Sequence, residues 1–186
     1  MPKFIPAKLQ NKLAERLLRF TSQQDREKQG TNLRNANNLI LVYKEEDEAK
    51  FKLVKDIANY LKKEFDVKRI MRLAYIDADE KMIPIWHMRK LESDFFCKSD
   101  LNWLDRPVKN IQALVQEPFD ILIHLDPDES IPLDFFVAYS QAKMKVSNYS
   151  VKRNADYDIL LPPVPGDTWK QRNHRIIQFL SDSPLS

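Results

Sequence analysis

Hydrophobic positions along this chain follow two periods. Short apolar runs, above all Asn38-Leu39-Ile40-Leu41-Val42-Tyr43 and Phe119-Asp120-Ile121-Leu122-Ile123-His124-Leu125, have the length of strands. Between them lie longer segments in which apolar residues recur at three- and four-residue steps, as Phe51, Val54, Ala58, Leu61 and Phe65 do. The runs suit strands buried on both faces, and the stepped segments suit amphipathic helices. In chain order the pattern predicts helices over 7–29 and 46–64 and strands over 38–43 and 67–76. A further strand over 83–88 is followed by an irregular aromatic stretch over 93–104. Then come a helix from Pro107 to Glu117, a strand over 119–125, a helix over 132–143, strands over 145–149 and 157–161, and a last helix capped by Asp167. Buried strands separated by helices imply a three-layer, Rossmann-like α/β domain with a mostly parallel sheet. An N-terminal basic amphipathic helix precedes it. The expected organisation is helix 1–30, a polar linker 31–37 and one α/β domain over 38–186, with the body able to fold without residues 1–30.

Composition narrows the chemistry. The chain has 186 residues and only two glycines, Gly30 and Gly166. That excludes a G-x-G-x-x-G turn, a Walker-type phosphate loop and a G-x-S-x-G nucleophile elbow. After the first strand, where nucleotide-binding folds offer bare amides, stand Glu45, Glu46, Asp47 and Glu48. These acids interact favourably with a helix N-terminus and repel phosphate. No affinity for NAD(P) or ATP is expected, and no cofactor. The single cysteine, Cys97, permits no internal disulfide and no cysteine-rich zinc site. No secretory signal and no spanning segment is evident, so the expected location is the cytoplasm.

Charge is unevenly spread. Residues 1–44 carry nine Lys/Arg against three acids, a net of +6, which leaves −3 on the remainder. At 100° per residue, Lys8, Lys12, Arg16, Arg19 and Arg26 form a cationic stripe beside an apolar one of Leu9, Leu13, Leu17 and Phe20. Such a stripe suits an anionic partner, RNA or a ribosomal surface, through phosphate contacts. An anionic membrane surface is the alternative. A third reading draws on the carboxyl ends of the strands, where open α/β sheets bind ligands. Asp77, Asp79, His124, Asp126 and Asp128 fall there, a possible oxygen-rich metal or catalytic site of a transferase or hydrolase. Turn and cap chemistry explains the same acids, and His124 in an apolar strand suits a packed, hydrogen-bonded side chain.

Two resemblances add to this. The segment Phe95-Phe96-Cys97-Lys98-Ser99-Asp100-Leu101-Asn102-Trp103, with Glu117-Pro118-Phe119-Asp120-Ile121-Leu122-Ile123-His124-Leu125, resembles a family of short bacterial proteins of unknown function. That likeness implies a basic N-terminal helix and a Rossmann-like body, and it brings no activity. Phe119 to Ser147, including Ala142-Lys143, resembles the N-terminal half of heptosyltransferase-type glycosyltransferases. Those enzymes carry a Gly-Asp pair after the first strand, where this chain has Glu45-Glu46, and a second nucleotide-sugar domain. The likeness therefore implies fold rather than catalysis. The leading expectation is a non-catalytic binding protein.

Overall fold

Six parallel strands build one sheet: β1 (Asn38–Glu45), β2 (Arg69–Ile76), β3 (Ser93–Cys97), β4 (Ile121–His124), β5 (Met144–Asn148) and β6 (Ile159–Leu161), in the order β3-β2-β1-β4-β5-β6. The computed structural model describes residues 6–21, 26–87, 90–127, 130–150 and 154–184. Along β1 the side chains alternate between two cores. Leu39, Leu41 and Tyr43 enter one with Val54, Ala58 and Leu61 of α2 (Glu48–Phe65) and Ile176, Ile177 and Leu180 of α5 (Trp169–Asp182). Ile40 and Val42 enter the other, with Leu114 and Val115 of α3 (Gln112–Gln116) and Leu133, Phe136 and Val137 of α4 (Ile131–Tyr139). A sheet buried on both faces explains why its strands read as continuous apolar runs.

The helix ends follow local chemistry. Asp47 caps α2 by accepting the Lys50 amide at 2.8 Å, so one of the four acids after β1 is a cap. Thr168, rather than Asp167, caps α5, in a reciprocal box with Gln171. The 107–117 helix shortens to α3. Asp105 and Asn110 take left-handed backbone (φ 59° and 62°), and Pro107 bridges to Leu101. A helix cannot run through those positions. Residues 83–87 form no strand. They belong to the connection from β2 to β3, and the aromatic stretch expected to be irregular supplies the edge strand β3.

The N-terminal helix, α1 (Ala7–Thr21), stops short of the expected residue 29. It packs across the outside of α4: Ala14 and Leu18, both fully buried, meet Phe135 and Ala138. Leu9 and Leu13, part of the apolar stripe read from the sequence, remain 49% and 38% exposed. The segment after the helix is tied down. The Arg26 guanidinium donates to the Ala142 and Lys143 carbonyls at 2.9 and 2.7 Å and pairs with Asp158. Leu33 is fully buried, and its amide donates to the Leu180 carbonyl.

Candidate functional site at the strand ends

The strand order reverses between β1 and β4, and the crevice beyond that point is where such sheets place ligands. Here the protein's own side chains fill it. Asp126, just past β4 and 1% exposed, accepts the Lys44 amide at 2.8 Å, the Lys50 ammonium at 2.9 Å and the Trp169 indole N–H at 2.5 Å. Lys50 comes from the first turn of α2 and Trp169 from the first turn of α5, so one carboxylate ties three elements together. The Lys50 ammonium also lies 5.5 Å from the centre of the Trp169 ring. A buried carboxylate with three donors is satisfied, as burial of a charge requires. Sequence reasoning picked out Asp126 and missed both partners. Lys50 carried a signal: it stands four residues before Val54, on the buried stripe of α2.

The remaining strand-end acids do not join Asp126. Asp77 follows β2, half exposed, with the Lys98 ammonium at 3.0 Å and the Tyr75 hydroxyl donating to it at 3.3 Å. The Lys98 hydrogen bond holds the Asp77 carboxyl below its ordinary range, and the same contact raises Lys98. Burial, then the Asp77 charge, pushes the Asp105 carboxyl up. Asp79 is exposed and precedes a 3₁₀ turn over Glu80–Met82 without capping it by its side chain. Asp128 lies outside the described residues. Among the described residues no group of three or more His, Cys, Asp or Glu is placed to hold a metal ion.

His124 is fully buried in β4, its Nδ1 2.6 Å from the Tyr157 hydroxyl. Its carbonyl accepts the Ser147 hydroxyl at 2.8 Å. It has no open face from which to act on a ligand. A second buried pair lies beside β1: Glu45 Oε2 is 3.2 Å from His87 Nε2, with Phe51 and Phe95 edge-on to the imidazole. His87 thereby fastens the β2–β3 connection to the sheet. Cys97 is buried, and burial pushes its thiol up, the reverse of what a nucleophile needs. A groove of about 700 Å³ runs between α2 and α5 over Ile57, Tyr60 and Trp169, and its Asp167 and Arg175 pair with each other at 2.7 Å.

Of the five cationic residues picked out near the N-terminus, Lys12 and Arg16 lie exposed on α1. Positions 8 and 19 belong to the same helix, and their side chains are outside the described set. Arg26 is off the helix, its side chain 6% exposed and engaged with Asp158 and two carbonyls. It is not free to meet a phosphate.

The chain matches the family of unknown function DUF6913 over residues 8–181 and belongs to that family. Among curated proteins none matches it. Among solved structures it is similar to the glycosyl transferase family 9 protein from Veillonella parvula DSM 2008, with 13% identity and a TM-score of 0.53. The match covers 83% of this chain and 44% of that one, so this chain spans about half the length of the glycosyl transferase. At that identity the likeness shows the fold, a Rossmann-like α/β architecture, and both resemblances read from the residues hold at that level.

Proposed function

We propose that this chain is a non-catalytic binding protein that presents the cationic face of α1 to an anionic partner, RNA in the first place. One observation carries the reading. The helix docks through Ala14 and Leu18, and Lys12 and Arg16 are exposed. At 100° per residue, those two stand roughly 120–160° round the helix from the docked pair, and positions 8 and 19 roughly 80–140° from it. Docking on α4 therefore leaves the stripe outward. The filled crevice around Asp126 supports the non-catalytic half of the proposal. A bacterial cytoplasm is the location that goes with it. Among the described residues no helix is long and apolar enough to cross a membrane.

The test is binding of a labelled single-stranded RNA across a salt series. Each phosphate contact should contribute a slope of about −0.7 in log K against log salt. Changing Lys8, Lys12, Arg16 and Arg19 to Gln should weaken binding of all sequences alike and flatten the slope. Arg26→Gln, by contrast, should act on stability. Binding indifferent to salt, or unmoved by the four changes, would sink the proposal. A second reading has its own support: Leu9 and Leu13 stay partly exposed beside Lys12 and Arg16, the surface an interfacial helix offers to an anionic bilayer. Sedimentation with anionic vesicles in the absence of any RNA binding would favour it.

A further inference from the structure

The groove between α2 and α5 holds about 700 Å³ and lies on the face of the sheet opposite α1. Its two walls are built alike. Leu53, Ile57 and Tyr60 recur along α2 at steps of four and three, and Lys170, His174 and Ile177 do the same along α5. Each set therefore occupies one helix face, about 10 Å long. Ile57 and Trp169 pack on the core beneath and Ile177 belongs to it, which makes the floor rigid. Trp169 stands at the end nearest Asp126, its indole fixed there by the 2.5 Å hydrogen bond. Tyr60, 47% exposed, stands at the other end, edge-on to Phe65. Small-molecule sites hold about 300–1,000 Å³, with aromatic and aliphatic walls and a few placed polar groups. This groove has that size and that make-up. Its length is less than two turns of helix, too short to seat a partner helix well.

Charge chooses the occupant. Arg175 is already engaged: it pairs with Asp167 at 2.7 Å and donates to the Pro162 carbonyl at 3.0 Å. That leaves Lys170 and His174 on the α5 wall and Asp56 on the α2 wall. All three are exposed, and among the described residues none of their side chains has a hydrogen-bond or ion-pair partner. Lys170 is the second residue of α5, so the positive end of that helix adds to its charge. We infer that the groove binds a small aromatic acid, with the ring body on the apolar walls and the anionic group at Lys170 and His174. An ammonium and an imidazole one turn apart on one helix face can donate to the same anion. Asp56 sets the polarity of the site: it repels an anionic group placed on the α2 side, so the acid enters with its head toward α5.

Anilinonaphthalene sulfonate, an aromatic body with one anionic group, is the probe that tests this. Titrated into the full chain and followed by fluorescence, it should bind saturably with a dissociation constant of about 10–100 µM. Lys170→Gln with His174→Gln should raise that constant about fivefold, whereas Asp56→Asn should lower it about twofold. Tyr60→Ala should raise it about fivefold through lost ring contact. All four side chains are exposed, so melting temperatures should stay near that of the wild type. Lys12→Gln with Arg16→Gln should leave the constant unaltered, because the groove is independent of α1, and so should Trp86→Gln. Naphthoate should displace the probe, and naphthylmethylammonium, of the same shape and opposite charge, should not. In methyl NMR spectra the probe should move Leu53, Ile57 and Ile177 and leave Ile85 in place. Binding that does not saturate, or that moves Ile85 instead of the groove methyls, overturns the inference. So does equal displacement by the two naphthalenes, or an Asp56→Asn effect of the same sign as that of the Lys170 and His174 changes. A wild-type dimer that the probe dissociates would put a second copy in the groove and overturn it as well.

Discussion

At the scale of the residue, Asp126 decides what the crevice can do. In nucleotide-binding sheets the amides after the first strand and at the following helix start meet phosphate. Here the Lys44 amide at the end of β1 donates to Asp126 and the Lys50 amide in the first turn of α2 to Asp47, so carboxylates already hold two of the donors of this region. Calorimetry with NAD(P) or ATP should therefore detect no micromolar binding, and a saturable isotherm would refute the assignment of these amides. Asp126→Asn should cost about 3 kcal/mol, because it removes the buried member of the two carboxylates that pair with the Lys50 ammonium and leaves only the exposed Glu46 at 3.4 Å. Replacing both, Asp126→Asn with Lys50→Met, should recover much of that loss. Urea unfolding of the two variants measures the difference. A single variant within about 1 kcal/mol of wild type would mean that Glu46 alone is enough to hold the Lys50 charge. Little of this geometry was legible in the sequence: an acid after an apolar strand, and a lysine at position 50 in step with the buried stripe of α2. The three donors come from positions 44, 50 and 169, and only the folded sheet brings them together.

At the scale of the element, α4 explains α1. Pro132 to Ala138 are buried without a break, which a nine-residue helix lying on a sheet cannot achieve alone. Its outer side is covered by Ala14 and Leu18. Deleting residues 1–30 would bare Phe135 and Ala138 and remove the Arg26–Asp158 pair. The truncated chain should melt several degrees lower than the full one and lose solubility. Leu18→Ala should cost about 2–5 kcal/mol, as large-to-small changes at buried sites do. Equal melting temperatures for full and truncated chains would show that the helix contributes nothing to the body. The stepped apolar pattern did identify α1, α2 and α5, and the continuous runs identified β1, β2 and β4, because burial on one stripe or on both faces writes itself into period. It failed where other physics dominates. Ile83-Pro84-Ile85-Trp86 reads like a strand, yet the connection is pinned by His87, packs Ile83 against the core and turns Ile85 and Trp86 outward. Ser93-Asp94-Phe95-Phe96-Cys97 reads as irregular because an edge strand mixes polar and aromatic positions. The apolar stripe of Leu9, Leu13, Leu17 and Phe20 does not mark the side of α1 that docks, which is that of Ala14 and Leu18. The leucines are the larger groups, but the small Ala14 allows the close approach.

At the scale of the whole molecule, stability is linked to protons through Lys145. Its side chain lies under the end of α4, 3% exposed, donating to the Val137 carbonyl at 2.6 Å. Burial, then the nearby Arg26 charge, lowers this lysine from an ordinary 10.5 to about 7. Between pH 7 and 10.5 the unfolded chain therefore holds a proton that the folded chain does not, and stability rises with pH in that window. The slope approaches about 1.4 kcal/mol per pH unit for one group. Carboxylates act on the acid side. Asp77, held down by Lys98, contributes stability above its ordinary 3.8 that is lost as pH falls through its folded value. Asp120 does the same: burial pushes it up, but Lys143 and the Asn37 and Asn38 amides outweigh that and leave it lowered. At the alkaline end Cys97, Tyr75 and Tyr43 are all raised, chiefly by burial, so the folded chain keeps protons that the unfolded one releases. Stability then turns downward above about pH 9, where the thiol and phenols of the unfolded chain begin to ionise. The molecule should be most stable near pH 9, well to the alkaline side of neutrality. Lys145→Met isolates the cause. It removes the titrating group, whatever it adds or subtracts in absolute stability, so urea midpoints measured at pH 7, 8 and 9 should rise in the wild type and stay nearly level in the variant. Parallel curves for the two proteins would show that Lys145 keeps its proton in the fold and that the alkaline rise has another source.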